Sequence, residues 1–241
     1  IWPVASGSRL NRILTIRWTG QLTDGLFQSA LASFILFSPE RAPNAVAAAL
    51  AFTVVLLPYS LIGPYVGTIL DRFSRQRIIR NCNYIRAFDL LIIAWLVNSG
   101  STGVVITLFV LIAFGVNRLI LAGLSAGLPL LVKKDELIAV NALAVTGGTI
   151  WVVIGGGIGI ATKNFVSATY SADFADTVVI LLASALFTVA ALSCYRLSKF
   201  EIGPTEHEGK SENQGVVEMV EGFKTLRAHP DALRGIFSVS I

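Results

Sequence analysis

Six long apolar runs divide this 241-residue chain, at about 13–37, 45–70, 78–98, 104–131, 137–162 and 177–197. Each reaches the roughly 20 residues that an α-helix needs to cross a bilayer, and each is too long for a strand. Inside hydrocarbon no water is available to the backbone N–H and C=O groups, so segments of this kind satisfy themselves as helices. The composition agrees. Hydrophobic residues make up 54% and charged residues 14% of the chain, against roughly 25% charge in soluble domains, and mean hydropathy is +0.71. The expected fold is therefore all-α, a polytopic membrane protein built as a six-transmembrane-helix bundle. The gaps Ser38-Pro39-Glu40-Arg41-Ala42-Pro43 and Asn98-Ser99-Gly100-Ser101-Thr102 read as tight turns between antiparallel neighbours.

Charge placement sets the expected orientation. Of 19 Lys and Arg residues, 16 fall on one side if the N-terminus is cytosolic: Arg9, Arg12 and Arg17, then Arg72 to Arg86, then Lys133 and Lys134, then Arg196 onward. Only Arg41 and Lys163 fall outside, and Arg118 falls within a run. By the positive-inside rule both ends of the six-helix unit face the cytosol of a multi-pass cell (inner) membrane protein. The net charge of +4 is thus a topology signal beside anionic lipid. The basic residues form no continuous face, so nucleic acid is not an expected partner. Cys82 lies at a helix start and Cys194 inside a run, which argues against a disulfide.

Three regions follow. Residues 1–197 form the N-terminal six-helix transmembrane bundle. Residues 198–231 form a cytosolic central loop, an acidic linker followed by an amphipathic helix in which Val216, Val220 and Phe223 recur at helical spacing. Residues 232–241 read as the start of a truncated seventh span, too short to cross by itself.

The loop between the second and third runs, Gly67-Thr68-Ile69-Leu70-Asp71-Arg72-Phe73-Ser74-Arg75-Gln76-Arg77, resembles the cytosolic signature of the major facilitator superfamily, with Ser74 where glycine is usual. The resemblance implies a gating loop in which Gly67, Asp71, Arg72, Arg75 and Arg77 latch two six-helix halves together. Gly67 would permit close helix approach, and Asp71 would cap a helix or pair with arginine. Arg118 followed by Gly123 is similar to that family's fourth-helix motif. Gly148, Gly155, Gly156 and Gly159 resemble its antiporter glycines, with Gly156 where proline is usual. The same glycines, and Gly63 with Gly67, equally fit plain close packing of membrane helices.

Charges inside the runs mark the candidate site, because burying them in a bilayer is costly. Asp24 lies 11 residues into the first run, about 16 Å deep, and Arg118 lies about 20 Å from the cytosolic end of the fourth. The first and fourth helices of the family line its central cavity. The resemblance therefore implies that Asp24 and Arg118 face each other, with Gln21, Gln28 and Asn117 beside them, to bind substrate or carry a coupling proton. A satisfied ion pair holding two helices in register is the structural alternative. Arg86 and Asp89, spaced i, i+3, read as vestibule charges able to pair along one helix face. Trp18, Trp95 and Trp151 read as interface anchors or packing residues.

No Ser/His/Asp or Cys/His catalytic set, metal-ligand spacing or P-loop is visible. No enzyme activity, cofactor or metal is expected. The expectation is the N-terminal half of a secondary transporter working by alternating access, with proton-coupled efflux of a small hydrophobic or amphipathic compound. Thr23-Asp24-Gly25 and the antiporter-like glycines favour that direction. Its partners would be the lipid bilayer, a small-molecule substrate, protons and a second six-helix half, encoded beyond Ile241 or supplied by a paired copy. A lipid flippase or scramblase of the same fold, or a non-transporting membrane scaffold, are the competing readings.

Overall fold

Polar punctuation sets the helix ends. Gly100, at φ +68°, stops the helix before it, and the amides of Ser99 and Gly100 turn back onto the carbonyls of Trp95 and Val97, the usual glycine C-terminal arrangement. Pro129 converts the end of the next helix into a short 3-10 turn, Leu128–Leu130, since proline supplies no N–H to an α-helix. The Ser171 hydroxyl accepts the Phe174 amide and, with Asp173 in the first turn, opens the last long helix.

The computed structural model describes residues 7–32, 66–67, 69–100, 104–198 and 200–203. Five long helices account for most of them: α1 (Gly7–Leu31), α2 (Arg75–Asn98), α3 (Val104–Gly127), α4 (Leu137–Ser167) and α5 (Ala172–Ser193). A 3-10 turn, Cys194–Arg196, follows α5. No strand occurs among the described residues. These helices coincide with the first, third, fourth, fifth and sixth apolar runs, although α1 and α5 begin earlier than hydropathy suggests. Most of the second run, the turn at 38–43, the amphipathic helix after 215 and the run at 232–241 lie outside the described residues.

α1 packs chiefly on α4, while α2 packs on α5 and α3, and α1 also reaches α5. Around Gly25 and Gly155 the α1–α4 seam brings backbone against backbone. A Cβ on Gly155 would lie 1.9 Å from the Leu22 carbonyl oxygen, one on Gly25 2.0 Å from the Val152 carbonyl oxygen, and one on Gly159 2.0 Å from the Ser29 hydroxyl. The buried residues of α4, namely Val140, Ala144, Gly148, Gly155 and Gly159, make one narrow helical stripe. Backbone approach of this kind is how helices associate where lipid removes the hydrophobic drive.

Among the described residues three helical segments are long and apolar enough to cross a membrane, Val104–Leu130, Leu137–Ser167 and Ala172–Arg196. The other two long helices, α1 and α2, are diluted by charge; Arg9, Arg12 and Arg77 near their starts are exposed, whereas Arg17, Asp24, Arg75, Arg86 and Asp89 are all buried. Phe88, Trp95, Val153 and Phe165 lie on the outside, Phe165 at 83% exposure. Apolar outside and charged inside is the inverse of a soluble domain, and is the distribution a bilayer solvates.

Candidate functional site

Two separate apolar cores fill the bundle. One gathers Phe27, Leu31, Leu90, Ile93, Val110, Val179 and Phe187. The other gathers Leu10, Ile13, Ile79, Leu124, Leu128, Cys194 and Ile202. Along α1, α2 and α3 the stretch between the two cores carries Arg17, Asp24, Asn83, Arg86 and Asn117, so the helices bring these residues into a polar belt.

Arg86 is the hub of that belt. It is 1% exposed, and its Nη2 donates to Asp24 Oδ1 in a buried ion pair between α2 and α1. Its Nη1 donates to Asn117 Oδ1 of α3 at 3.2 Å. The guanidinium carbon stands 3.9 Å from the ring centroid of Phe187 on α5, a cation–π contact. One side chain thus ties four helices. Asp89, one turn along α2, is also buried. Asp24 Oδ2, Asp89 Oδ2 and Arg86 Nε have no hydrogen-bond partner among the described residues. Around the hub, Asn83 donates to the Ile79 carbonyl, Ser184 to the Ala87 carbonyl, and Arg17 to the Ser125 hydroxyl at 3.1 Å.

The expected pairing of Asp24 with Arg118 is corrected to Asp24 with Arg86. Successive helix residues point about 100° apart, so turning Asn117 toward Arg86 carries Arg118 onto an exposed face of α3. Arg86 is therefore a central residue of the bundle and not a vestibule charge. The signal that identifies it in the sequence is depth: eight residues into its run it sits about 12 Å in, close to Asp24. Gln21 packs against Gly148 of α4, and Gln28 is exposed. Trp18 fills the space beside Gly147, whereas Trp95 and Trp151 face outward.

The signature loop divides by exposure. Asp71 is exposed and pairs with Arg75 at 3.4 Å. Arg75 itself is buried and turned inward. Its Nη1 donates to the carbonyls of Ala126 and Ile202, each at 3.2 Å, and its amide donates to the Gly203 carbonyl. Ile202 is fully buried against Gly127, where a Cβ would meet it at 2.9 Å. Gly203 takes φ +91°, and a Cβ there would fall 2.6 Å from Arg75 Nη1. Gln76 donates to the Cys194 carbonyl, and Arg12 donates to that of Arg196. The segment after α5 is thereby strapped to the starts of α1 and α2, a fixture that the sequence does not announce. Arg72 and Arg77 remain exposed. A Cβ on Gly67 would meet nothing within 4 Å among the described residues, and Gly63, with which the close approach is expected, lies outside them. Gly123 does accommodate neighbours, the side chains of Leu70 and Ile79.

At the other end of the bundle Lys163 pairs with the buried Asp176 at 2.7 Å. Cys82 and Cys194 are free and buried.

A lipid-facing apolar surface, charge gathered inside and helices joined by a buried ion pair define a membrane-embedded helical bundle with a polar interior site. No family model and no solved structure matches the chain. Two curated relatives do, uncharacterized MFS-type transporters of Mycobacterium bovis and Mycobacterium tuberculosis. Each is 30% identical over 212 residues, which cover 88% of this chain and 47% of the relative. The chain belongs to the major facilitator superfamily. It spans about half the length of the curated relatives it matches.

Proposed function

We propose that this chain is the N-terminal six-helix half of a proton-coupled secondary transporter. Both ends of the unit face the cytosol of the cell membrane, and it works with a second six-helix half by alternating access. The observation that carries the reading is the buried Asp24–Arg86–Asn117 hub. An intramembrane ion pair is costly to hold, and a purely structural helix contact is made more cheaply by the glycine seam. Protonation of Asp24 would release Arg86, leaving Asn117 and Phe187 as its remaining partners and offering Asp89 as a second carboxylate one turn away. The hub would then favour one of two helix arrangements according to its proton load, as a coupling site requires. The proposed cargo is a small hydrophobic or amphipathic compound moved outward, with Arg118, Gln28 and Gln21 available to the cavity shared with the second half. Arg72 and Arg77, exposed on the signature loop, would act at the cytosolic junction of the halves.

The test is D24N in the complete transporter, second half included, reconstituted into proteoliposomes and driven by a pH jump. Substrate flux is expected to lose its dependence on the proton gradient while the variant stays folded. Gradient-driven flux equal to the parent's removes Asp24 from the mechanism. Lipid scrambling in place of solute flux selects the flippase reading, and neither activity selects the scaffold.

A further inference from the structure

A cavity of about 550 Å³ opens where the signature loop and the start of α2 meet Leu119 of α3. Its lining is divided. Arg72, Arg77 and Ser74 supply polar groups, and Ile69, Ile78 and Leu119 supply an apolar wall. Ser74 is 6% exposed, and its hydroxyl has no hydrogen-bond partner among the described residues. It is the residue that stands where the family signature has glycine. Arg75, the loop's buried arginine, is turned away into the strap, whereas Arg72 and Arg77 are exposed at the cavity. The exposed Phe73 and Phe200 also line it, with Arg72 over the Phe73 ring at 5.8 Å, and beside it Arg80 lies over the exposed Tyr195 ring at 4.9 Å.

From this juxtaposition we infer that the cavity is a binding site for an anionic phospholipid, its phosphate held by Arg72, Arg77 and the Ser74 hydroxyl and the start of one acyl chain laid along Ile69, Ile78 and Leu119. Two guanidinium groups and a buried hydroxyl offer a phosphodiester anion positive charge and several hydrogen-bond donors. The apolar wall is of no use to a free phosphate but suits a lipid. Interleaved arginines and aromatic rings are the composition of a membrane–water interface facing anionic lipid. The inference needs the chain to lie in a membrane, and it is independent of whether the chain transports anything.

The experiment uses the complete transporter, second half included, purified in detergent, with native mass spectrometry counting bound lipid during titration with phosphatidylglycerol or phosphatidylcholine. Phosphatidylglycerol is expected to bind preferentially. R72A/R77A should weaken that binding by roughly tenfold or more, since each basic residue near an anionic lipid contributes on the order of 1 kcal/mol. R80A removes a neighbouring charge that does not line the cavity and should weaken the binding clearly less than R72A/R77A does. L119W fills the apolar wall without altering charge and should also reduce binding, which covers the case in which the double arginine variant fails to fold. Equal binding of the two lipids, equal losses in R80A and R72A/R77A, or unchanged binding in L119W each overturns the site. Displacement of the lipid by millimolar inorganic phosphate would instead make it a soluble-anion site and overturn the lipid assignment.

Discussion

Arg86 makes two hydrogen bonds to side chains on two other helices and stacks on a ring from a third, and no other residue type combines those contacts. Lysine carries the charge on a single ammonium and cannot reach a carboxylate and an amide in one plane while lying flat on an aromatic face. Truncating Arg86 leaves Asp24 and Asp89 buried without their cation. R86A is therefore expected to lower stability by about 3–5 kcal/mol, read from the midpoint of thermal unfolding in detergent. Adding D24N to R86A should recover part of that loss, because one stranded carboxylate is then neutral. Strict additivity of the two substitutions would show that the pair is not coupled in the folded bundle. At this scale the sequence discloses the cost of Asp24 but not its partner. Depth along a helix is countable from the apolar boundary, whereas rotation about the helix axis is not, and a single position separates Asn117, which faces the hub, from Arg118, which does not.

Among the elements, α1 and α4 approach until backbone meets backbone, and the glycines divide sharply by position. Gly155 faces the Leu22 carbonyl, whereas two residues on Gly157 faces nothing within 4 Å. G155A should force the helices apart and cost about 1–3 kcal/mol, the range of an overpacked core. G157A should stay within about 0.5 kcal/mol of the parent, measured by the same thermal unfolding. Equal effects would mean that the seam is set by something other than this close approach. The existence of these helices is plain in the sequence, because an apolar run of such length has one outcome in a bilayer. Their true starts are less so. α1 begins at Gly7, ahead of its apolar run, since Arg12 is held by the Arg196 carbonyl and Arg17 by Ser125. Polar residues can thus extend a helix that hydropathy would have cut short.

For the molecule as a whole, the membrane character follows from the inversion of burial, with charge within and aromatic and branched side chains without. The proposed orientation rests on where the remaining charge lies. Lys133 and Lys134 stand between α3 and α4, whereas Lys163 at the opposite end is neutralised by Asp176, which sharpens the asymmetry already visible in the sequence. With Cys82 and Cys194 buried, an added surface cysteine reports cleanly. D135C should react with a membrane-impermeant maleimide only from the cytosolic side, and T169C only from the other, in intact against opened cells. The reverse pattern would overturn the proposed topology. The strap between Arg75 and Ile202-Gly203 was illegible beforehand, because it joins residues 127 positions apart through main-chain carbonyls, which carry no sequence identity. It also has a mechanical meaning. Because the Ile202 and Gly203 carbonyls are riveted to Arg75, a tug on the chain at Gly203 is felt first at the foot of α2 and only afterwards by α5.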